Sequence, residues 1–275
     1  MKAVLKDWRS HLALLVLALL SLFPIYFILV NSFKDTLEYA TSTVALPGQL
    51  RWENYGLAWN VVHAPLLRSL LIVLTSVLGI VALAAPSAYA FALMRFPGRT
   101  WLFALVLALL LIPSFLTLIP LYLQIKNFGL SGNPTGLILP YVAGGQAFSI
   151  LVLKSFFEVL PKELLEAASL DGAREFDVFW RIALPLSMPA MISVGVINFV
   201  PIWNDLILPQ LVLGREAQTI TMALVDFQGN AQNPSSSNFG VLMAAYTFAA
   251  IPLIVLFSSL MRYYIAGLTS GAVKA

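Results

Sequence analysis

The stretch SLLIVLTSVLGIVALAAPSAYAFALM, residues 69–94, contains no Asp, Glu, Lys, Arg or His. A helix rises 1.5 Å per residue and a bilayer's hydrocarbon core is about 30 Å thick, so about 20 apolar residues suffice to cross it. Inside lipid the backbone has no water to bond, and a helix pairs its polar groups within the segment. Residues 69–94 therefore predict a membrane-spanning helix.

Reading outward, similar charge-free runs occupy 10–33 (most apolar at 12–30), 100–125, 127–153 and 182–204. The fifth continues past Asp205 to Gly214, and a sixth run, 227–261, becomes usable near Phe239. Six spanning helices follow, and the fold class is an all-α polytopic membrane protein. Composition agrees: 60% of the chain is hydrophobic and 11% charged, whereas a soluble domain is about 25% charged. Soluble and disordered classes are excluded. The net charge of +3, with no basic stripe, excludes a nucleic-acid binder. Zero cysteines exclude a disulfide framework, a thiolate metal site and a cysteine nucleophile.

Lys2, Lys6 and Arg9 before an apolar run have the look of a signal peptide. A signal's apolar region is about 7–15 residues and ends at small residues for cleavage. This run continues through Phe23-Pro24-Ile25-Tyr26-Phe27 to Val30 with no such site, so it is read as a retained first helix. With the N-terminus inside, the cytoplasmic side carries Lys2, Lys6, Arg9, Arg95, Arg99, Lys154, Lys162, Arg174, Arg181, Arg262 and Lys274. The outer side carries Lys34, Arg51, Arg68, Lys126 and Arg215, five against eleven. The positive-inside bias places both termini in the cytoplasm.

The segment 33–65, with Trp52, Tyr55 and Trp59, is expected outside, at the membrane interface. A polar, turn-rich loop is expected at 228–237. The chain reads as one transmembrane domain, 1–275, with core helices over about 66–265 and a C-terminal tail at 266–275.

Residues 158–181 are of another kind. They hold six of the thirteen acids: Glu158, Glu163, Glu166, Asp171, Glu175 and Asp177. Pro161 suits a helix start, Lys162–Leu170 predicts a short helix, and Gly172 is placed to end it in the left-handed conformation. Phe176, Phe179, Trp180 and Ala183 then recur at helical spacing. Pro185 and Pro189 mark the start of the fifth long helix.

Glu166-Ala167-Ala168, Gly172 and Ile182-x-Leu184-Pro185 follow the E-A-A-x3-G-x9-I-x-L-P spacing. The chain thereby resembles the permease subunits of ATP-driven (ABC) importers. The fuller string from Glu166 through Asp171, Gly172 and Ala173 to Pro189 is similar to the carbohydrate-uptake branch. Ala266-Gly267-Leu268-Thr269-Ser270-Gly271-Ala272-Val273-Lys274 resembles the tail of the shorter maltose-type permease, departing at Ala275.

The resemblance implies that the loop 158–185 docks a short helix into a cleft of a cytoplasmic ATPase. Glu166, Ala167, Ala168, Leu170, Asp171, Gly172, Ala173, Ile182, Leu184 and Pro185 are the coupling residues it implies. It also implies a second related permease subunit, two ATPase subunits, an extracytoplasmic solute-binding protein and a sugar substrate. No Gly-Lys dipeptide occurs, so the chain lacks the G-x4-G-K-[ST] loop that holds phosphates. No catalytic residue, metal or cofactor is expected here; ATP and magnesium belong to the partner ATPases.

Polar groups inside spans are costly and face a bundle interior or a water-filled path. The fifth run is richest in them, with Asn198, Trp203, Asn204 and Asp205 around Pro201. Asn198 and Asp205 would share a face about 10.5 Å apart on an unbroken helix. With Gln146 and Tyr246 they are the candidates for lining a sugar's path, and Trp203-Asn204-Asp205 resembles the W-N-[DE] segment of sugar permeases. A polyol, a glycerol phosphate ester or another polar solute is the alternative cargo. An ion-coupled secondary transporter would need paired ionisable residues at mid-membrane or inverted repeats. A single intramembrane carboxylate and no visible repeat speak against it.

Overall fold

A computed structural model describes residues 2–229 and 238–272. Most of the polar loop expected at 228–237, and the end of the tail at 273–275, lie outside the described residues. The described residues are all-helical, without a strand. In chain order the helices are α1 (Lys2–Asn31), α2 (Thr36–Thr41), α3 (Glu53–Leu93), α4 (Arg99–Ala108) and α5 (Ser114–Asn127). Next come α6 (Thr135–Gly144), α7 (Gln146–Phe157), α8 (Lys162–Leu170), α9 (Glu175–Val178) and α10 (Leu184–Leu186). The chain continues through α11 (Met188–Asn204), α12 (Ile207–Leu213), α13 (Ile220–Gly229) and α14 (Phe239–Ala272). A π-helical stretch, Phe179–Ala183, joins α9 to α10.

Among the described residues, three helices are long and apolar enough to cross a bilayer without a break: Ser10–Asn31, Glu53–Leu93 and Phe239–Leu260. The other three predicted runs are each broken in two. Residues 100–125 form α4, a 3-10 turn and α5, bent by 97°. Pro113 is the cause: it disfavours helical geometry at the preceding residue, and Ile112 is extended at ψ 115. Residues 127–153 do not make one helix from Asn127. That residue ends α5, the next helix starts at Thr135, and α6 meets α7 at a 44° bend. Gly129 and Gly132, both at positive φ, turn the chain between α5 and α6. The fifth run bends by 70° between the pieces Glu175–Leu186 and Met188–Asn204. There the Ser187 hydroxyl and its backbone N–H both donate to the carbonyls of Ala183 and Leu184, while Pro189, lacking an N–H, cannot bond back to the Pro185 carbonyl.

The second long helix starts well before the charge-free run that predicts it. Residues 53–65 are the opening turns of α3, which runs on through Pro65. Pro65 removes one ladder bond without ending the helix.

The described chain divides into two compact units. The first comprises Met1–Leu66 and Ala223–Pro252. Its centre is a polar knot: Asn31, Ser32, Lys34 and Asn54 are all buried. The Asn54 amide donates to the carbonyls of Ser32 (2.8 Å) and Lys34 (3.0 Å), and the Lys34 ammonium donates to Ser42 O at 2.6 Å. Asp35 caps α2 through Glu38 N and pairs with Arg51 at 2.6 Å. Tyr39 stacks on Phe239 at 4.4 Å between centroids.

The second unit comprises Leu67–Met222 and Leu253–Ala275. One of its cores gathers Ala84, Ala88 and Tyr89 of α3 with Ile150, Leu153 and Phe157 of α7, Phe179 and Ala183 of the π stretch, and Val194 of α11. Another joins Ile72, Ile125, Leu137, Leu208 and Val212. Small residues on α3 allow close approach to its neighbours; a Cβ on Gly79 would lie 2.7 Å from Val142.

Candidate coupling and translocation site

Helix α8 occupies the residues its sequence predicts, Lys162–Leu170. Asp171 N donates to Ala167 O and Ala173 N to Ala168 O, both at 3.0 Å, while Gly172 sits at φ +81°. The Ala173–Ala168 bond around a left-handed glycine is the Schellman pattern that satisfies the last carbonyls of a helix. Glu166, Ala167, Leu170 and Asp171 are exposed, Leu170 at 89%, and Ala168 and Ala173 are half-buried. An apolar side chain so exposed, beside a carboxylate and an alanine, makes a projecting surface able to enter a cleft.

The rest of the signature anchors that projection. Ile182 and Leu184 are half-buried, Leu184 packs on the α3–α7–α11 core, and Pro185 is exposed. Of the four aromatic and small positions predicted for one helix face, Phe179 (7%) and Ala183 (0%) are buried, while Phe176 and Trp180 are exposed. The π-helical turn starts at Phe179, so the register between the two pairs departs from a plain 3.6-residue repeat. Tyr89 of α3 packs edge-on to Phe157 and Phe179 at 5.7 and 5.1 Å. Its hydroxyl donates to Glu175 Oε2 at 3.1 Å.

The predicted path residues separate into two places. Asn198 donates to Ser149 Oγ at 3.0 Å and to Val194 O at 2.9 Å. Gly145 closes against it, since a Cβ there would lie 2.8 Å from Asn198 Oδ1 and 2.5 Å from Ile80. Gln146 donates to Val142 O at 2.8 Å and also reaches Ile80 O at 3.4 Å. This polar seam thus joins α3, α7 and α11.

Asp205 lies beyond the end of α11, in extended backbone. Its Oδ2 accepts from the Tyr141 hydroxyl at 2.7 Å and its Oδ1 from Ile207 N at 3.0 Å. Both side chains line a cavity of about 370 Å³ with Ser114, Thr117 and Gly144. Hydroxyls, a carboxylate and open glycine backbone offer the donors and acceptors that a polyhydroxylated solute needs.

Trp203 is 4% exposed and stacked on Phe199 at 5.6 Å, and its carbonyl accepts from Thr221 Oγ1. Asn204 is exposed and donates to Val200 O. Tyr246, half-buried on α14, belongs to the first compact unit. Among the described residues no group of three His, Asp or Glu side chains could hold a metal ion.

Tyr141, Gly145 and Tyr89 were not singled out from the sequence, and Glu175 was counted only among the loop's acids. A buried tyrosine hydroxyl needs a partner, so Tyr89 and Tyr141 inside apolar runs carried a signal. Nothing local identified the partners, which lie 86 and 64 residues away.

Comparison with known proteins identifies the family. Residues 80–270 match the family described as "Binding-protein-dependent transport system inner membrane component". The diacetylchitobiose uptake system permease protein NgcG of Streptomyces coelicolor is 33% identical over 96% of this chain and 88% of its own. The maltose/maltodextrin transport system permease protein MalG of Salmonella typhimurium is 32% identical over 96% and 95%. In fold, the chain superimposes with a TM-score of 0.80 on a chain of a bacterial ABC transporter involved in importing the acidic polysaccharide alginate, at 20% identity, covering 96% and 98% of the two chains. The chain belongs to the family of inner-membrane components of binding-protein-dependent transport systems, permease subunits that act with a solute-binding protein and leave ATP hydrolysis to a partner ATPase.

Proposed function

We propose that this chain is one of two related permease subunits in an importer of a sugar or small oligosaccharide, served by two cytoplasmic ATPase subunits and an extracytoplasmic solute-binding protein. Counting each bent helix pair as one span gives up to six, and the distribution of Lys and Arg supports cytoplasmic termini. The observation that carries the reading is the projecting α8, with Glu166, Ala167 and Leu170 exposed ahead of the left-handed turn at Gly172. Glu166 offers a charge for an arginine or backbone donors of the ATPase. Ala167 and Ala168 let the helix backbone approach closely. ATP-driven closure of the ATPase pair carries α8 with it and switches the permease between inward- and outward-facing states. The sugar cargo is supported by the uptake systems named for the relatives and by the cavity at Tyr141 and Asp205, where Ser114 and Thr117 add hydroxyls to a largely apolar lining.

Co-purification with the co-expressed ATPase tests the docking. Glu166→Lys and Gly172→Val are expected to lower ATPase retention and ATP-dependent uptake at least tenfold. Full retention and uptake in both variants would refute the reading. Titrating the cognate solute-binding protein with oligosaccharides, polyols and glycerol phosphate esters decides the cargo; preference for either of the latter two excludes the sugar.

A further inference from the structure

Tyr89 lies outside both the docking surface and the polar cavity, yet it joins the coupling loop to α3 by a hydrogen bond. It is 5% exposed on α3. Phe157 and Phe179 hold its ring edge-on, and its hydroxyl meets Glu175 Oε2 at 3.1 Å. Glu175 follows the turn at Gly172 by three residues and opens α9. Glu175 is exposed apart from this contact, and a hydrogen bond to a carboxylate is stronger than one between neutral groups. An apolar groove of about 640 Å³ opens beside the pair, lined by Leu78, Ala82 and Pro86 of α3 and by Phe176 and Trp180 of the loop. Packing between α3 and this segment is therefore incomplete on the groove side. The π-helical turn beginning at Phe179 is a register irregularity of the kind found at functional positions in helices.

We propose that Tyr89 and Glu175 form a latch, with Tyr89 a positioning residue that makes α3 follow the coupling loop. With open space on one side of the α9 segment, a displacement of α8 could be absorbed by sliding within the groove. The latch prevents this: the aromatic clamp fixes the ring, and the directional hydrogen bond fixes the loop to it. Motion at α8 then passes to α3 rather than dissipating at the elbow. The inference rests on the docking of α8 proposed above.

The absence of cysteine makes a direct test simple, because Leu83→Cys supplies the chain's sole thiol. Leu83 is 55% exposed on α3, six residues before Tyr89 and so about 9 Å from it along the axis. A spin label there is read in the assembled complex in nanodiscs, nucleotide-free and with Mg-ATP and vanadate. The nucleotide is expected to change the spectrum, and Tyr89→Phe and Glu175→Ala should each cut that change at least threefold while the ATPase stays bound. Glu175→Gln, which keeps an acceptor, should retain most of it. The double variant Tyr89→Phe/Glu175→Ala should be no worse than either single, as one shared bond requires.

An undiminished change in both singles overturns the latch, as does a double variant whose loss compounds the two. So does a wild-type background in which the nucleotide changes nothing. ATPase retention in Glu166→Lys is followed in parallel. Full retention there counts against the docking of α8, whereas loss there with an undiminished label response in Tyr89→Phe counts against the latch alone.

Discussion

The Tyr141 hydroxyl donates to Asp205 Oδ2 at 2.7 Å, joining α6 to the turn that separates α11 from α12. The same carboxylate accepts from Ile207 N through its other oxygen, so one side chain both ends the contact with α6 and starts α12. Removing Asp205 forfeits both bonds, while removing the Tyr141 hydroxyl forfeits one. Asp205→Ala should destabilise the detergent-solubilised protein by about 2 kcal/mol or more and Tyr141→Phe by about 1–2 kcal/mol, on the scale of bonds to charged groups. Thermal unfolding of the two variants checks the order, and an equal effect would contradict it.

Gly145 lies where Ile80 and Asn198 converge. A Cβ placed there comes within 2.5 Å of Ile80 Cδ1 and 2.8 Å of Asn198 Oδ1. Ile80 is fully buried and has little room to yield. Gly145→Val should destabilise by about 1–3 kcal/mol, as overpacking does, and uptake should fall with it. Gly144, with nothing within 4 Å of its Cβ position, should accept Ala with little change, which makes the neighbouring pair an internal control.

In the first unit, Gly240 makes a tighter demand. Its Cβ would fall 1.9 Å from the Lys34 carbonyl oxygen and 2.4 Å from the Asn54 amide. The first obstacle is backbone, which cannot rotate aside. Gly240→Ala should therefore lower the unfolding temperature more than the larger Gly145→Val, whose obstacles are side-chain atoms.

Lys34 gives the protein a pH dependence. Burial pulls its ammonium below the ordinary lysine value, with Glu38 opposing the shift more weakly. Between the lowered folded value and the unfolded one, the unfolded chain binds more protons, so stability rises with pH across that window. The penalty is fully present below the folded value and relieved above it. Lys34→Met should flatten the rise in melting temperature from neutral to alkaline pH. A slope equal to the wild type would show that another group is responsible.

The sequence and the structure agree best where the physics is local. The bounds of α8 and the positive φ at Gly172 follow from Pro161, good helix formers and a glycine just past the end, all within twelve residues. Interruptions of the long runs were less legible. Pro113 lies inside an apolar run that hydropathy alone reads as one helix, and the 97° bend shows its backbone constraint prevailing. Pro65, with the same missing N–H, leaves α3 unbroken. What separates the two is each residue's surroundings, which the one-dimensional pattern does not contain.

The sequence by itself determined the class, because too few charges and six long apolar runs leave no other way to satisfy backbone and surface. It also determined α8, whose start and stop are set within one short segment. Tertiary structure decided which polar groups meet: Tyr141 with Asp205, Asn198 with Ser149, Tyr89 with Glu175. It buried Trp203 against Phe199 while leaving Asn204, the next residue, exposed. Those pairings depend on where each helix bends and which faces then pack, and in an apolar environment every polar side chain takes the partner that this geometry brings within reach.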